Sequence, residues 1–292
     1  MSRVQKAASR TAEMNCLWRA ASYYEKDQYY KSDDSVAPLL LPSHMKFLVR
    51  YKTVRAFFRK IFAPEGTYEY VIARTKYIDV IFNDAIRIGC EQVVIFGAGF
   101  DTRSIRLNNN DKIKIFELDS DVTQKAKLNQ LEKRGIKIRE NVFYVPVDFN
   151  RESAEEKLLQ HGFELNKRSL FILEGLTMYL KEDAVAEIFN LIRRLPASGS
   201  LIVFDHLYAS VIRGEKQYSG EEKMLKRVRD AGEPWLFGIE EGRTADYLNK
   251  FGFDLVEEYN AKKLQAKYFT EPSGKVLSKI NEVHNIVLVQ VP

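Results

Sequence analysis

Gln92–Arg103, QVVIFGAGFDTR, is the stretch whose reading decides the fold. Val93 to Phe96 form an unbroken apolar run, the pattern of a strand buried on both faces. Gly97 and Gly99 follow at once. Without Cβ atoms they let the chain turn sharply and let a ligand approach the backbone. The third glycine of a GxGxxG fingerprint is absent, because Arg103 stands in its place, and this argues against a dinucleotide held by its pyrophosphate. Two glycines after a strand also suit a tight strand-to-helix turn with no ligand, so the surroundings decide their meaning.

Downstream of that turn, short apolar runs alternate with helical stretches. IKIFEL (Ile113 to Leu118), VFYVPV (Val142 to Val147), LFILE (Leu170 to Glu174) and LIVFD (Leu201 to Asp205) read as strands. Asp121 to Arg134 and Glu182 to Leu195 read as helices between them, and Phe253 to Tyr259 and Asn285 to Val291 supply two final strands. The expectation is an α/β, Rossmann-like fold: a seven-stranded, mostly parallel sheet with helices on both faces. Upstream the chain reads differently. Met1 to Tyr30 is helical in composition, Lys31 to Pro42 is a loop, His44 to Phe62 is one long amphipathic stretch, and Tyr68 to Arg87 is a second helix. Residues 1–88 are therefore expected to form an N-terminal helical cap. Residues 89–292 are expected to form the ligand-binding domain, with an insertion at about 207–238.

In such sheets ligands bind beyond the carboxyl ends of the strands. Asp119 ends the second strand about 20 residues past the glycine turn, where a carboxylate can accept both hydroxyl protons of a ribose. In PVDF, Asp148 can accept from an adenine amino group and Phe149 can flank the ring. A strand-end aspartate that merely caps a helix explains Asp148 as well.

QVVIFGAGFDTRSIRL, FELDSDVTQKAK, PVDF and FILEGLTMYL, in that order, resemble the successive motifs of the leucine carboxyl methyltransferase family. TAEMNCLWRAASY, SDDSVAPLL and ARTKYID resemble its bacterial branch, so the likeness spans roughly Arg10 to Phe253. The resemblance implies a class I methyltransferase fold and an O-methyltransferase that uses S-adenosyl-L-methionine. It also implies that Arg74 grips the cofactor's carboxylate and that Glu174 lies beside its amino-acid portion. Gly97, Asp119, Asp148 and Phe149 match the remaining cofactor positions. The N-terminal helices and the insertion are implied to cover the active site.

Methyl transfer requires alignment of acceptor and methyl more than acid–base work. An ionised carboxylate needs no base; a hydroxyl gains from one. Two residues are weak catalytic candidates. His206 directly follows the fifth strand, and Tyr179 in GLTMYL could line the transfer channel; core packing explains either. Lys46 to Lys60, KFLVRYKTVRAFFRK, carries six basic residues and no acid. It reads as a helix with its apolar face packed and its charged face in water, or alternatively as a lid or docking helix for an acidic carrier protein or a membrane surface. Trp235 and Phe237, in GEPWLFGIE, stand where a substrate wall would lie, or close the core.

The acceptor expected is a small molecule, in the manner of secondary-metabolite enzymes. A protein C-terminus and a cofactor-binding protein without turnover are the alternatives. With 292 residues and a net charge of only +5, the chain gives no sign of nucleic-acid binding, nor has it an NPPY-type tetrapeptide for a flipped base. Its two cysteines sit in no metal-ligand spacing, so no metal is expected. No signal-like apolar segment or membrane span is apparent, which leads to a cytoplasmic expectation.

Overall fold

The structure, a computed structural model, describes residues 9–107, 111–149 and 151–292. Part of the helical reading of Met1 to Tyr30, residues 1–8, lies outside the described residues. Seven strands form one sheet: β1 (Gln92–Phe96), β2 (Lys114–Asp119), β3 (Val142–Pro146), β4 (Ser169–Leu173), β5 (Leu201–Leu207), β6 (Asp254–Tyr259) and β7 (His284–Gln290). Their order is β3-β2-β1-β4-β5-β7-β6. The pairings from β3 across to β5 are parallel, and β7 runs antiparallel to both its neighbours. The seven-stranded, mostly parallel expectation is met.

Strand alternation explains the two-sided core. Val93 and Ile95 of β1 join one apolar cluster with the helices Arg10–Tyr23 and Thr67–Arg87. Val94 and Phe96 join a second, with the helices Ala154–Gln160 and Glu182–Arg194. Every residue of β1 is buried, so the run has no polar side to give to water. Local signals set the helix ends. Ser120 and Ser153 accept backbone N–H bonds as N-caps, and the helix Glu182–Arg194 carries acids in its first turn and arginines in its last, complementing its dipole.

The chain runs outward from β1 to β3 and then returns to β4 on the other side of β1. The crevice of the fold therefore opens between the carboxyl ends of β1 and β4.

Two N-terminal expectations need correction. Lys31 to Pro42 contains a short helix, Ala37–Leu40, and the stretch from His44 to Phe62 is two helices, Ser43–Leu48 and Lys52–Phe62. The apolar face of the second packs inward only in part, through Phe58. Arg55 is its buried residue, while Phe57, Ile61 and Phe62 are exposed. The reason is an ion pair: the Arg55 guanidinium meets Glu25 through two nitrogens, at 3.0 and 3.2 Å, and its third donates to the Val49 and Arg50 carbonyls. A forked, partly buried pair of this kind fixes the helix rotation.

Both cysteines are buried and free, and burial pushes the thiols of Cys16 and Cys90 up to about 12 and about 11, respectively. They are packing groups, not nucleophiles.

His206 and His284 are wholly buried, and burial lowers the pKa of each, with Arg74 further opposing charge on His284. Each therefore binds a proton less readily in the fold than in the unfolded chain, where a histidine titrates near about pH 6.5. Stability from this source is full above that pH and is lost as pH falls beneath it, by up to about 1.4 kcal/mol per pH unit per histidine. Denaturant unfolding followed from pH 7.5 to 5 should show this slope. A His284→Gln variant should flatten it.

Candidate functional site

A pocket of about 830 Å³ occupies the crevice at the carboxyl ends of β1, β2 and β4. That volume is near the upper end for small-ligand sites and leaves room for more than one ligand. Its floor is the glycine turn. Gly97 and Gly99 both have positive φ, +60° and +52°, which a side chain at either position would strain. The Gly99 N–H donates to Asp119 Oδ2 at 2.6 Å, and Ser120 N–H to Asp119 Oδ1 at 2.6 Å. The turn after β1 and the acid after β2 are thus one unit. Oδ1 also accepts the Ser120 hydroxyl at 3.2 Å, whereas Oδ2 retains a lone pair for a further donor. Burial raises the Asp119 pKa against the pull of these amides.

Opposite the turn lies a buried lattice of charge. Arg74, from the helix Thr67–Arg87, donates to Asp205 Oδ2 at 2.6 Å. Asp205 also accepts the Tyr70 hydroxyl at 2.8 Å and the Gly175 N–H at 2.6 Å. Glu174 Oε2 accepts from Arg103 at 2.6 Å. Arg103 also meets Asp101 at 2.5 Å and Asp79 at 2.8 Å, so it fills the place of the missing third glycine as a structural anchor. Burial works against ionised Glu174 and Asp101, but the arginines beside them outweigh it and hold both pKa values below the usual range. Burial likewise opposes the charge on Arg74, and Asp205 and Glu174 more than restore it.

One detail of this lattice points to a ligand. Arg74 Nε and Glu174 Oε1 stand 3.0 Å apart, yet both are buried and neither has a well-directed hydrogen bond. Buried polar atoms left in this condition are costly unless something satisfies them. Both residues line the same pocket, a cation beside an acid, which matches a zwitterionic amino-acid group. Gly175, at φ +62°, makes the approach possible, since a Cβ there would lie 3.2 Å from the Arg74 guanidinium.

At the far end Asp148 and Phe149 line the mouth, with the Phe149 ring 6.0 Å from that of Phe96. The cover comes from two distant segments. Ser9, Thr11, Ala12, Asn15 and Arg19 line the pocket from the first helix and its N-cap, and Gly232, Glu233, Pro234 and Leu236 from the loop after the helix Glu221–Asp230. Glu233 joins them. Its carboxylate accepts the Arg10 N–H at 3.0 Å, the Thr11 N–H and the Ser9 hydroxyl at 3.2 Å each, and the Thr11 hydroxyl. An acid on free amides at a helix start is favoured by the helix dipole as well.

The structure thus brings together Arg74, Gly97, Gly99, Asp119, Asp148, Phe149, Glu174 and Tyr179 around one pocket. It does not bring His206 there. Side chains alternate along β5, so Asp205 faces the pocket side and His206 the opposite core, with its Nδ1 2.9 Å from the Leu207 carbonyl and its ring beside Phe204. Trp235 and Phe237 also turn away from the pocket: Trp235 packs edge-on against His284 and Phe237 against Tyr247, while Pro234 and Leu236 form the wall. The sequence reading missed Asp205, Tyr70 and Glu233. Asp205 alone carried a signal, as an acid at the carboxyl end of a strand; the other two act through contacts distant in sequence.

Residues 12–193 match the model of the leucine carboxyl methyltransferase family. A protein of Bacillus subtilis provisionally named S-adenosyl-L-methionine-dependent methyltransferase YktD is 28% identical over 223 residues, covering 75% of this chain and 72% of the relative. Similarly named proteins of Mycobacteroides abscessus and Mycolicibacterium paratuberculosis are 34% and 31% identical, over 63% and 71% of this chain and 67% and 68% of their own lengths. Among solved structures, a protein of Thermobifida fusca provisionally titled a methyltransferase shares the fold, with a TM-score of 0.58 at 15% identity over 95% of this chain and 94% of that one.

Proposed function

The chain belongs to the leucine carboxyl methyltransferase family and is an S-adenosylmethionine-dependent methyltransferase, and we propose that it methylates an oxygen of a small molecule, a carboxylate foremost. In this reading residues 1–88 act as a cover. Residues 89–292 form the binding domain, and the insertion at about 207–238 closes the acceptor side.

The cofactor supplies a methyl group on a cationic sulfur. The chain's own residues bind and align. Glu174 Oε1 accepts from the ammonium and Arg74 Nε donates to the carboxylate of the amino-acid group, which satisfies the two orphaned atoms. Asp119 accepts from the ribose hydroxyls, Asp148 accepts from the adenine amino group, and Phe149 flanks the ring. Gly97 and Gly99 let the backbone come close. The first helix and the loop of Glu233 keep water out.

The observation that carries the carboxylate reading is the engagement of the deep pocket acids. Asp101 and Glu174 are held ionised by arginine, Asp119 accepts two backbone amides and is assigned to the ribose, and Glu233 is bound to the helix start. None is placed as a general base, and an acceptor that arrives ionised needs none. Tyr179 lines the same pocket, and burial raises its phenol pKa, so it remains a donor able to orient an acceptor oxygen.

Purified protein supplied with methyl-labelled cofactor and a panel of carboxylic acids, hydroxy analogues and a leucine-terminated peptide tests this. A carboxylate product is a methyl ester, which mild alkali cleaves to volatile labelled methanol. A methyl ether resists. Alkali-stable label would overturn the carboxylate reading, and label on the peptide alone would favour a protein C-terminus. With the true acceptor, Tyr179→Phe should lower kcat by about tenfold at most, the scale of one neutral hydrogen bond, and leave cofactor binding unchanged.

A further inference from the structure

We propose that the face built by the helices Ser43–Leu48 and Lys52–Phe62 docks on an anionic lipid bilayer. Phe47, Leu48, Tyr51, Phe57, Ile61 and Phe62 are all exposed there, Phe47 and Phe57 by more than half (55% and 57%). Scattered surface apolar residues are ordinary; six large ones within sixteen residues of two successive helices are a concentration that marks an interaction site. Arg50, Lys52 and Lys60 are exposed among them, and the chain has no acidic residue from Ser35 to Pro64.

The exposure is built in. Arg55 and Glu25 hold the opposite side of the second helix against the body, and Arg59 lies over the Tyr68 ring, 5.6 Å from its centroid. Phe57 and Ile61 are thereby turned outward, while Phe58 packs on the core. Apolar side chains edged by cations on a helix lying on the surface have the composition that enters the headgroup boundary of a membrane. Charge selects among occupants. A second copy would bring cations against cations. An acidic protein would match the charges and leave the six apolar side chains without a role, whereas an anionic bilayer takes both.

The patch also adjoins the pocket's cover. Arg227 donates to the Phe62 and Ile61 carbonyls at 2.9 and 3.1 Å, and its helix, Glu221–Asp230, leads directly into the Gly232–Leu236 wall. Docking would set that cover beside the bilayer and suit an acceptor that partitions into it.

The test is flotation of the full chain with vesicles of phosphatidylcholine alone and with about 30% phosphatidylserine added, at low and high salt. The expected result is binding to the anionic vesicles, release by salt, and loss in Phe57→Ser/Ile61→Ser. Lys52→Gln/Lys60→Gln should bind about thirtyfold more weakly, at the strength of two surface charges. Both double variants should titrate S-adenosylmethionine as the parent does, which shows that they are folded. Absence of binding to anionic vesicles at low salt overturns the proposal, as does equal binding by the variants. Concentration-dependent dimerisation abolished by Phe57→Ser/Ile61→Ser without vesicle binding would assign the face to a second copy. Binding to polyglutamate that ignores the apolar changes, again without vesicles, would assign it to an acidic protein.

Discussion

Replacing Arg74 with alanine is expected to weaken S-adenosylmethionine binding by about a hundredfold or more, while binding of 5′-methylthioadenosine persists. In the proposed arrangement the guanidinium is the donor to the amino-acid group, and methylthioadenosine has no such group. A charge-assisted hydrogen bond of this kind, with the loss of the opposite charge, amounts to about 3 kcal/mol. The same change removes a partner of fully buried Asp205, leaving it the Tyr70 hydroxyl and the Gly175 N–H. Breaking a buried pair from one side typically costs about 3–5 kcal/mol of stability. Calorimetric titration with both ligands, beside denaturant unfolding, separates the two effects. Equal loss of both ligands in a folded variant would mean that Arg74 acts by shaping the pocket alone. Arg74→Lys should not restore the parent, because an ammonium cannot reach Asp205 and the pocket with the same fork.

Asp119→Ala is the complementary case: affinity for both ligands should fall together, again by about a hundredfold, since the ribose is common to them. The loss has a local part, because the Gly99 and Ser120 amides lose their acceptor and the glycine turn its tie to β2. Asp119→Asn retains an oxygen for one of those amides and should fall between the parent and alanine. If methylthioadenosine bound the alanine variant as well as it binds the parent, the ribose assignment would be wrong. Together the two substitutions divide the pocket into an amino-acid half and a nucleoside half, and a pattern other than this one would require a different ligand orientation.

Much of this was legible before any coordinates. The apolar runs predicted the inner strands within a residue or two, because a strand buried on both faces admits few polar residues, and the exposed edge strand β6 was found as closely. The glycine turn and the strand-end acids marked the pocket because a parallel sheet places its carboxyl ends side by side. His206 was misplaced for a short-range reason: one step along β5 separates the pocket side from the opposite core, and sequence position does not say which step faces which. The two helices from Ser43 to Phe62 failed for a different reason. Periodicity shows that a helix has an apolar face, but a forked ion pair from Glu25 decided which face met the protein.

The sequence by itself determined the sheet, the glycine turn and the strand-end acids that line the pocket, because these follow from local periodicity and from positions fixed relative to strand ends, while Arg74 was marked by the family resemblance. Only the tertiary structure decided the rest. Asp205 and Tyr70 fix Arg74 from residues 131 and 4 positions away, Arg103 joins Glu174 across 71 residues, and Glu233 joins the first helix across more than 220. Such partners are chosen by packing in three dimensions, where a buried charge must find whichever opposite charge the fold brings near.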